Sequence, residues 1–374
     1  MIRLGVDGRE LVTDARTGIG RYVIEVLRAA SQEGWHCTVY GDCSTTLDVT
    51  LPSVTLRILN QRWTQWWDQV TLPRQLAQDR ISVFLSPYYK GPLLAPCPVV
   101  LTIHDLFFIT YLDRHRLFYD GLMTRLAWLY ATRATAIITD SEYSKQAIVA
   151  RLGISPEKIT VIPVPLGNEF HEASLTDEVK LRYGMTDPYI LYVGNFSPHK
   201  NLPRLLQAFA RLDESLRQTY RLVLAGYDKH HQPALQKLAG NLGLTNRTLF
   251  PGPIADRDLP ALYGGCSLFV LPSIEEGFGL PALEAMACGA PVIAANRAAI
   301  PEVVGEAAIL FDPEDVAAMT KVMTDVLTHQ EFRTMLRRQG LKRSRELSLN
   351  RTAGRVLTLL QEVSKGGYET RPNP

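Results

Sequence analysis

The stretch "SLFVLPSIEEGFGLPALEAMACGAPVIAAN", residues 267–296, carries strand, turn, helix and strand in order. Its ends are short apolar runs, 267–273 and 291–296, of the kind that strands buried on both faces show. Between them, Pro281 suits a first helical position and Gly289 the position just past a helix end. The spacing predicts a helix of about two turns from Pro281 to Cys288, whose alanines allow close packing. Gly277 and Gly279 free the preceding turn, so that the N–H groups of Gly279 and Leu280 can face an anion. Two carboxylates, Glu276 and Glu284, stand eight positions apart in a segment otherwise built like core.

The same alternation fills the chain. Further apolar runs lie at 2–6, 99–103, 136–139, 159–164, 189–194, 221–226, 248–252 and 307–311. Helical patterns intervene: "GRYVIEVLRAA" aligns Val23, Val26, Leu27 and Ala30, and "LPRLLQAFARL" aligns Leu202, Leu205, Leu206, Phe209 and Leu212. This predicts an α/β protein with two doubly wound, Rossmann-like domains facing an interdomain cleft. The polar stretch 167–179 separates two series of strands. The expected domains are therefore 1–170 and 171–349, with a last helix at 350–365 and a frayed tail from 366 onward.

Length and composition bound the function. A chain of 374 residues exceeds one ordinary core, and 46% hydrophobic with 21% charged residues fits a soluble enzyme-sized protein. A formal charge of +2 supplies no bulk field for nucleic acid. Five scattered cysteines without C-x-x-C spacing argue for a reducing compartment and against a zinc knuckle. "MIRLGVDG" reads as a strand rather than a signal peptide, and no apolar run reaches the roughly 20 residues that span a bilayer. The expected location is cytoplasmic, with at most peripheral contact at the inner membrane face.

Ligands of open α/β sheets bind beyond the carboxyl ends of strands. Those ends carry Asp7-Gly8-Arg9, His104-Asp105, Asp140-Ser141, Gly194-Asn195, Gly226, Gly252 and Ser273. In "TGIGRY", 17–22, two glycines precede a helix, which either frees N–H groups for an anion or simply starts the helix. No G-x-G-x-x-G follows the first strand, which counts against a nicotinamide-dependent dehydrogenase. A lone histidine is usually structural, but the strand-end position of His104 and its neighbour Asp105 raise a functional reading. No metal-ligand spacing is apparent. Lys200 sits at a loop-to-helix junction, where a cation costs about 0.3–1 kcal/mol unless an anion joins it. Asp256 and Asp258 in "IADRDL" read as capping and first-turn acids rather than metal ligands. Trp63, Trp66, Trp67 and Val70 fall at helical spacing and read as a core stripe. The alternative is an aromatic edge gripping an acceptor or resting on a membrane, with Arg62 and Arg74 nearby.

Electrostatics narrows the role of the two glutamates. A carboxylate about 8 Å from the two charges of a diphosphate is repelled by about 4 kcal/mol at an effective dielectric of 20. Neither glutamate should grip phosphates, whereas both accept hydrogen bonds from hydroxyls. The consistent ligand has a diphosphate between two hydroxyl-bearing groups, its charge offset by Lys200 and the helix dipole. A nucleotide sugar fits; two ordinary surface glutamates are the alternative.

The segment "PSIEEGFGLPALEAMACGAPVIAANRAAIPEVVG", 272–305, resembles the retaining glycosyltransferases of family 4, which have the GT-B architecture. "DGREL", "TGIGRYV", "TIHDLFF", "SEYSKQAIVARLGISPEKITVIPVPLG" and "YVGNFSPHKNLPRLLQAF" are similar to the family in the same order. The resemblance implies that Glu276 holds the donor sugar's hydroxyls and Glu284 the ribose. It implies that the backbone at Phe278, Gly279 and Leu280 meets sugar hydroxyls and phosphate, and that Lys200 binds the diphosphate. Gly252 to Ile254 would lie beside the base. Gly18 and His104 would come from the first domain, His104 near the sugar's outer hydroxyl. The helix 350–365 would cross back to that domain. Where many members carry an arginine in the diphosphate loop, this chain has Asn195 and His199. If His199 faces the phosphates it helps only when protonated, so activity would fall near neutral pH in a way that His199→Arg abolishes.

The resemblance implies transfer of a hexose, mannose from GDP-mannose, to a hydroxyl of a glycan or lipid-linked acceptor. The anomeric configuration is retained, and neither a cofactor nor a metal is needed. A nucleotide-sugar epimerase and a non-catalytic nucleotide-sugar-binding protein are the competing readings.

Overall fold

Strands too short to alternate and too apolar to face water pair in parallel and are covered by helices. In the computed structural model, which describes residues 2–12, 18–60, 63–106, 117–347 and 349–366, thirteen strands form two sheets, most of them of this kind. The first holds β1 (Arg3–Asp7), β2 (His36–Gly41), β3 (Val54–Ile58), β4 (Val83–Ser86), β5 (Val99–Thr102), β6 (Ala136–Thr139) and β7 (Ile159–Val161), in the order β3-β2-β1-β4-β5-β6-β7. The second holds β8 (Tyr189–Val193), β9 (Arg221–Ala225), β10 (Thr248–Leu249), β11 (Leu268–Leu271), β12 (Val292–Ala295) and β13 (Ile309–Phe311), in the order β10-β9-β8-β11-β12-β13. Every strand pairing in both sheets is parallel. Strand order reverses between β1 and β4 in one sheet and between β8 and β11 in the other. Each reversal opens a crevice at the strands' carboxyl ends.

The chain divides into two units, Met1–Pro165 with Leu349–Pro374, and Leu166–Ser348. The helix Leu349–Ser364 packs on the helix Gly18–Gln32 and on β4 within the first unit. Among the described residues no helix is long and apolar enough to cross a membrane. Arg62, Thr17 and the tail from 367 lie outside the described residues.

The helical faces predicted from spacing are buried: Val23, Val26, Leu27 and Ala30 on Gly18–Gln32, and Leu202, Leu205, Leu206 and Phe209 on Leu202–Ala210. The tryptophan stripe differs. Trp67 is 2% exposed and donates its indole N–H to the Leu59 carbonyl, whereas Trp63 is 75% exposed and Trp66 also faces solvent. Trp63 precedes the helix in extended backbone, and the helix widens into a π turn over Trp67–Thr71, so an α-helical spacing does not hold there. Three strands, β2, β3 and β4, were not marked by the apolar runs. Asp258 also departs from expectation: it stands at the start of the helix Leu259–Gly265 without capping it, because its carboxylate accepts from Arg182 and from the Tyr183 hydroxyl.

In the second unit, strands β8, β9 and β10 run out onto Gly194, Gly226 and Gly252. Gly194 N–H donates to the Ala225 carbonyl, and Gly226 N–H to that of Gly252. Gly226 has φ +135°, and a Cβ placed on it would lie 1.9 Å from the Gly194 carbonyl oxygen. Gly226→Ala therefore combines backbone strain with overpacking and should destabilise by about 2–5 kcal/mol. Urea unfolding measures this, and an unchanged midpoint would show that the glycine ledge is not tightly packed.

Candidate functional site

The second unit's crevice is built from the ends of β8 and β11. After β8 the chain passes through a single 3-10 turn, Pro198–Lys200, and reaches Asn201 at φ 59°. Asparagine tolerates this left-handed conformation better than most residues. The buried Asn201 side chain donates to the carbonyls of Pro272 (3.1 Å) and Pro313 (2.7 Å), which pins the lysine loop against the end of β11. Ile274 N–H donates to the His199 carbonyl at 2.8 Å and closes the same junction.

The pinning places Lys200 Nζ 2.7 and 2.9 Å from the two carboxylate oxygens of Glu276. Ser273 Oγ donates to Glu276 Oε1 at 2.7 Å. Glu276 is 7% exposed. The helix following it runs over Leu280–Ala287, one residue earlier than predicted, from Gly279 at φ 91° to a stop before Gly289 at φ 79°. On that helix Glu284 is 2% exposed and accepts a 2.8 Å hydrogen bond from the fully buried Tyr263 hydroxyl. The alternative of two ordinary surface glutamates is thereby corrected. Both carboxylates are buried and held, one by a cation and a hydroxyl, the other by a hydroxyl. Phe278 is buried, Gly279 provides the turn, and Leu280 is half-buried at the helix start.

The neighbouring loop residues have structural partners of their own. Asn195 is exposed; its side-chain oxygen accepts from Ser197 N–H and its carbonyl from the Tyr192 hydroxyl. Gly252 follows β10 with φ 81°, and Ile254 is half-buried just beyond. In the ligand-free protein, burial and then the Lys200 charge push the His199 pKa down to about 4, against a smaller opposing pull from Glu276, so the ring is neutral there at neutral pH.

In the first unit, Thr102 lies opposite Ile138 across β5 and β6, so the two strand ends bring His104 and Asp140 side by side. His104 Nδ1 is 2.7 Å from Asp140 Oδ2. The Tyr22 ring meets the imidazole edge-on, 5.4 Å away and 85° inclined. Burial lowers the His104 pKa, but Asp140, with a smaller contribution from Asp105, outweighs it and leaves the pKa raised. Gly18 opens the helix Gly18–Gln32. At the crevice between β1 and β4, Arg9 bonds both oxygens of Asp7 (3.0 and 2.5 Å) and one of Asp68 (2.7 Å). It also stacks 3.9 Å over Trp67. These strand-end charges satisfy one another.

The sequence marks Asp140 and Ser273 only as strand-end residues and gives no role to Asn201 or Tyr263. Asn201 had a local signal, an asparagine between a loop lysine and Leu-Pro. Tyr263 had one too, a lone hydroxyl in the apolar helix "LPALYGG". The partners lie 21 to 112 positions away in sequence for Tyr263, Asp140 and Asn201, and no spacing rule reaches that far.

The profile described as "Glycosyl transferases group 1" matches residues 175–343, and that described as "Glycosyltransferase Family 4" matches 16–166. The serotype-specific mannosyltransferase WbdA of Escherichia coli is 34% identical over 293 residues, covering 74% of this chain and 36% of WbdA. The match thus spans about a third of that relative's length. The O-antigen chain mannosyltransferase B of Escherichia coli is 31% identical over 252 residues, covering 67% of this chain and 66% of the relative. Among solved structures, sucrose-phosphate synthase from Thermosynechococcus elongatus superposes with a TM-score of 0.78 at 20% identity, covering 98% of this chain and all of that one. Anabaena HepE in complex with UDP and glucose gives 0.77 at 19% identity, covering 97% of this chain and 100% of that one. At such identities the likeness shows the fold. With one family profile on each unit and mannosyltransferases among its relatives, the chain belongs to the family 4 glycosyltransferases and has the GT-B fold.

Proposed function

We propose that this glycosyltransferase moves mannose from GDP-mannose to a hydroxyl of a glycan or lipid-linked acceptor, with retention of anomeric configuration. The observation that carries the reading is the Lys200–Glu276 pair, with its carboxylate buried, at a topological switch, followed on the next helix by the buried Glu284. Mannosyl transfer is supported by the two Escherichia coli relatives.

The residues divide the donor as charge demands. The diphosphate draws on Lys200 and on the N-terminal dipole of the helix Leu280–Ala287, which together offset the charge that develops as the leaving group departs. Glu276, released from Lys200 as the diphosphate takes the cation, accepts from the sugar's hydroxyls. Glu284 accepts from the ribose, Gly252 to Ile254 flank the base, and His104 meets the sugar's outer hydroxyl. The bond from the anomeric carbon to the diphosphate breaks while the acceptor oxygen bonds to the same face. A leaving phosphate oxygen takes the acceptor's proton. Lys200 and the helix end stand in the role a divalent cation fills elsewhere, so neither metal nor cofactor is required. The partners are the donor and a glycan or lipid-linked acceptor, not nucleic acid, and the setting is cytoplasmic with at most peripheral contact at the inner membrane face.

The test is a donor screen, measuring binding and hydrolysis across GDP-, UDP- and ADP-sugars. GDP-mannose is expected to be turned over fastest. A preference for a UDP- or ADP-sugar overturns the donor assignment, and conversion of the sugar without any acceptor would favour the epimerase reading.

A further inference from the structure

We infer that Asp140 is a positioning residue for the transfer reaction: it fixes the tautomer, orientation and charge of His104, so that His104 Nε2 is presented to a hydroxyl of the sugar substrate. This rests on the reading that His104 contacts the transferred sugar.

The geometry is set by backbone. The β5–β6 register places the two side chains on adjacent strand ends, and Asp140 is 3% exposed. The strand ends are tied together by Ile103 N–H to the Ile138 carbonyl (2.8 Å) and Thr139 Oγ1 to the Ile103 carbonyl (2.7 Å). Ser144 Oγ on the helix Glu142–Leu152 holds the His104 carbonyl at 3.0 Å. Tyr22 closes one side of the ring and is itself anchored through its hydroxyl to Thr102 Oγ1 at 3.1 Å. The imidazole therefore has little freedom to turn.

Within this frame the 2.7 Å contact keeps a proton on Nδ1. Nε2 then points away from Asp140. Among the described residues this buried nitrogen has no hydrogen-bond partner, and neither does Asp140 Oδ1. A buried acceptor left unpaired costs about 1–3 kcal/mol, which a ligand hydroxyl would recover. The histidine is thus built as a binding group facing outward from a carboxylate anchor, the arrangement that a carboxylate behind the ring imposes on metal-binding histidines.

The charge state follows from the groups facing the ring, which are Asp140, Asp105 and the Tyr22 phenol. The carboxylates favour the imidazolium, while burial raises the Tyr22 pKa and keeps it neutral. As pH falls through the raised His104 pKa, Nε2 changes from acceptor to donor. The folded pKa exceeds the unfolded value of about 6.5. The pair's stabilisation is therefore full at mildly acid pH and is lost as pH rises through the folded value.

The experiment compares Asp140→Asn, His104→Gln and the double variant. Asparagine keeps the shape and can still accept from Nδ1–H, but it removes the charge. Histidine NMR of the ligand-free protein, with His104→Gln identifying the resonance, should show the His104 midpoint shifted to lower pH in Asp140→Asn. Turnover should fall about 10–100-fold, with the pH limb assigned to His104 moving the same way and GDP affinity unchanged. The double variant should be no slower than His104→Gln, because Asp140 acts through His104. A lower melting temperature in Asp140→Asn with unchanged kcat and pH profile, while His104→Gln is slow, overturns the inference and leaves the His104 reading standing. Full turnover in His104→Gln overturns both.

Discussion

Lys200→Met is expected to lower kcat by about 10²–10³-fold, the loss seen when one preorganised charge or donor facing a developing anion is removed. The same substitution has a structural cost, and the two effects can be separated. Glu276 is 7% exposed and both its oxygens bond Lys200 Nζ, so removing the lysine strands a buried carboxylate. Breaking such a pair from one side costs about 3–5 kcal/mol. Replacing both members, Lys200→Met with Glu276→Gln, should restore most of that stability, because the amide keeps the Ser273 hydrogen bond without a charge to bury. Turnover should not recover, since neither the cation for the diphosphate nor the carboxylate for the sugar is present. Denaturant midpoints and single-turnover rates on all three variants make the comparison. A double variant that regains both stability and rate would mean that the pair only holds the fold together.

The pair also shows what a sequence can and cannot carry. Glu276, Glu284 and Lys200 were legible as candidate site residues because each breaks a local rule: a charge in a core-like segment, or a cation at a helix start. Repulsion from a diphosphate steers Glu284 toward hydroxyls, and in the structure it accepts from the hydroxyl of Tyr263. The same reasoning did not foresee that Glu276 would take Lys200, a contact 76 residues apart. Fold class was legible for a similar reason: Val-, Ile- and Leu-rich runs have few other uses than strands covered on both faces. Two of the strands left unmarked lack that signature: β3 lies at a sheet edge and is largely exposed, and β2 mixes His36, Thr38 and Tyr40 into its run. β4, Val-Phe-Leu-Ser and buried throughout, carries the signature and was passed over. For His199 the sequence shows a histidine beside a lysine in a phosphate loop; it does not show the burial and the lysine charge that keep the ring neutral in the ligand-free protein.

Glu284→Ala should separate nucleotide binding from chemistry in the opposite sense to Lys200→Met. The carboxylate is 2% exposed and one oxygen holds the Tyr263 hydroxyl. A charge-assisted hydrogen bond to a ribose hydroxyl contributes about 1.5–3 kcal/mol, so GDP should bind about 10–150-fold more weakly in Glu284→Ala. At saturating donor kcat should change little, because ribose contacts are equal in ground and transition states. Loss of the charge-assisted bond from the Tyr263 hydroxyl would also lower stability by about 1–3 kcal/mol, which a denaturant midpoint reads separately from affinity. Calorimetry with GDP and with its 2′,3′-dideoxy analogue gives the sharper readout. The wild-type protein should discriminate strongly between the two, and Glu284→Ala should bind them almost equally, because the group that distinguishes them is gone. Undiminished discrimination in Glu284→Ala would place the ribose elsewhere, and the buried carboxylate on the short helix Leu280–Ala287 would then serve the packing around the Tyr263 hydroxyl rather than the nucleotide.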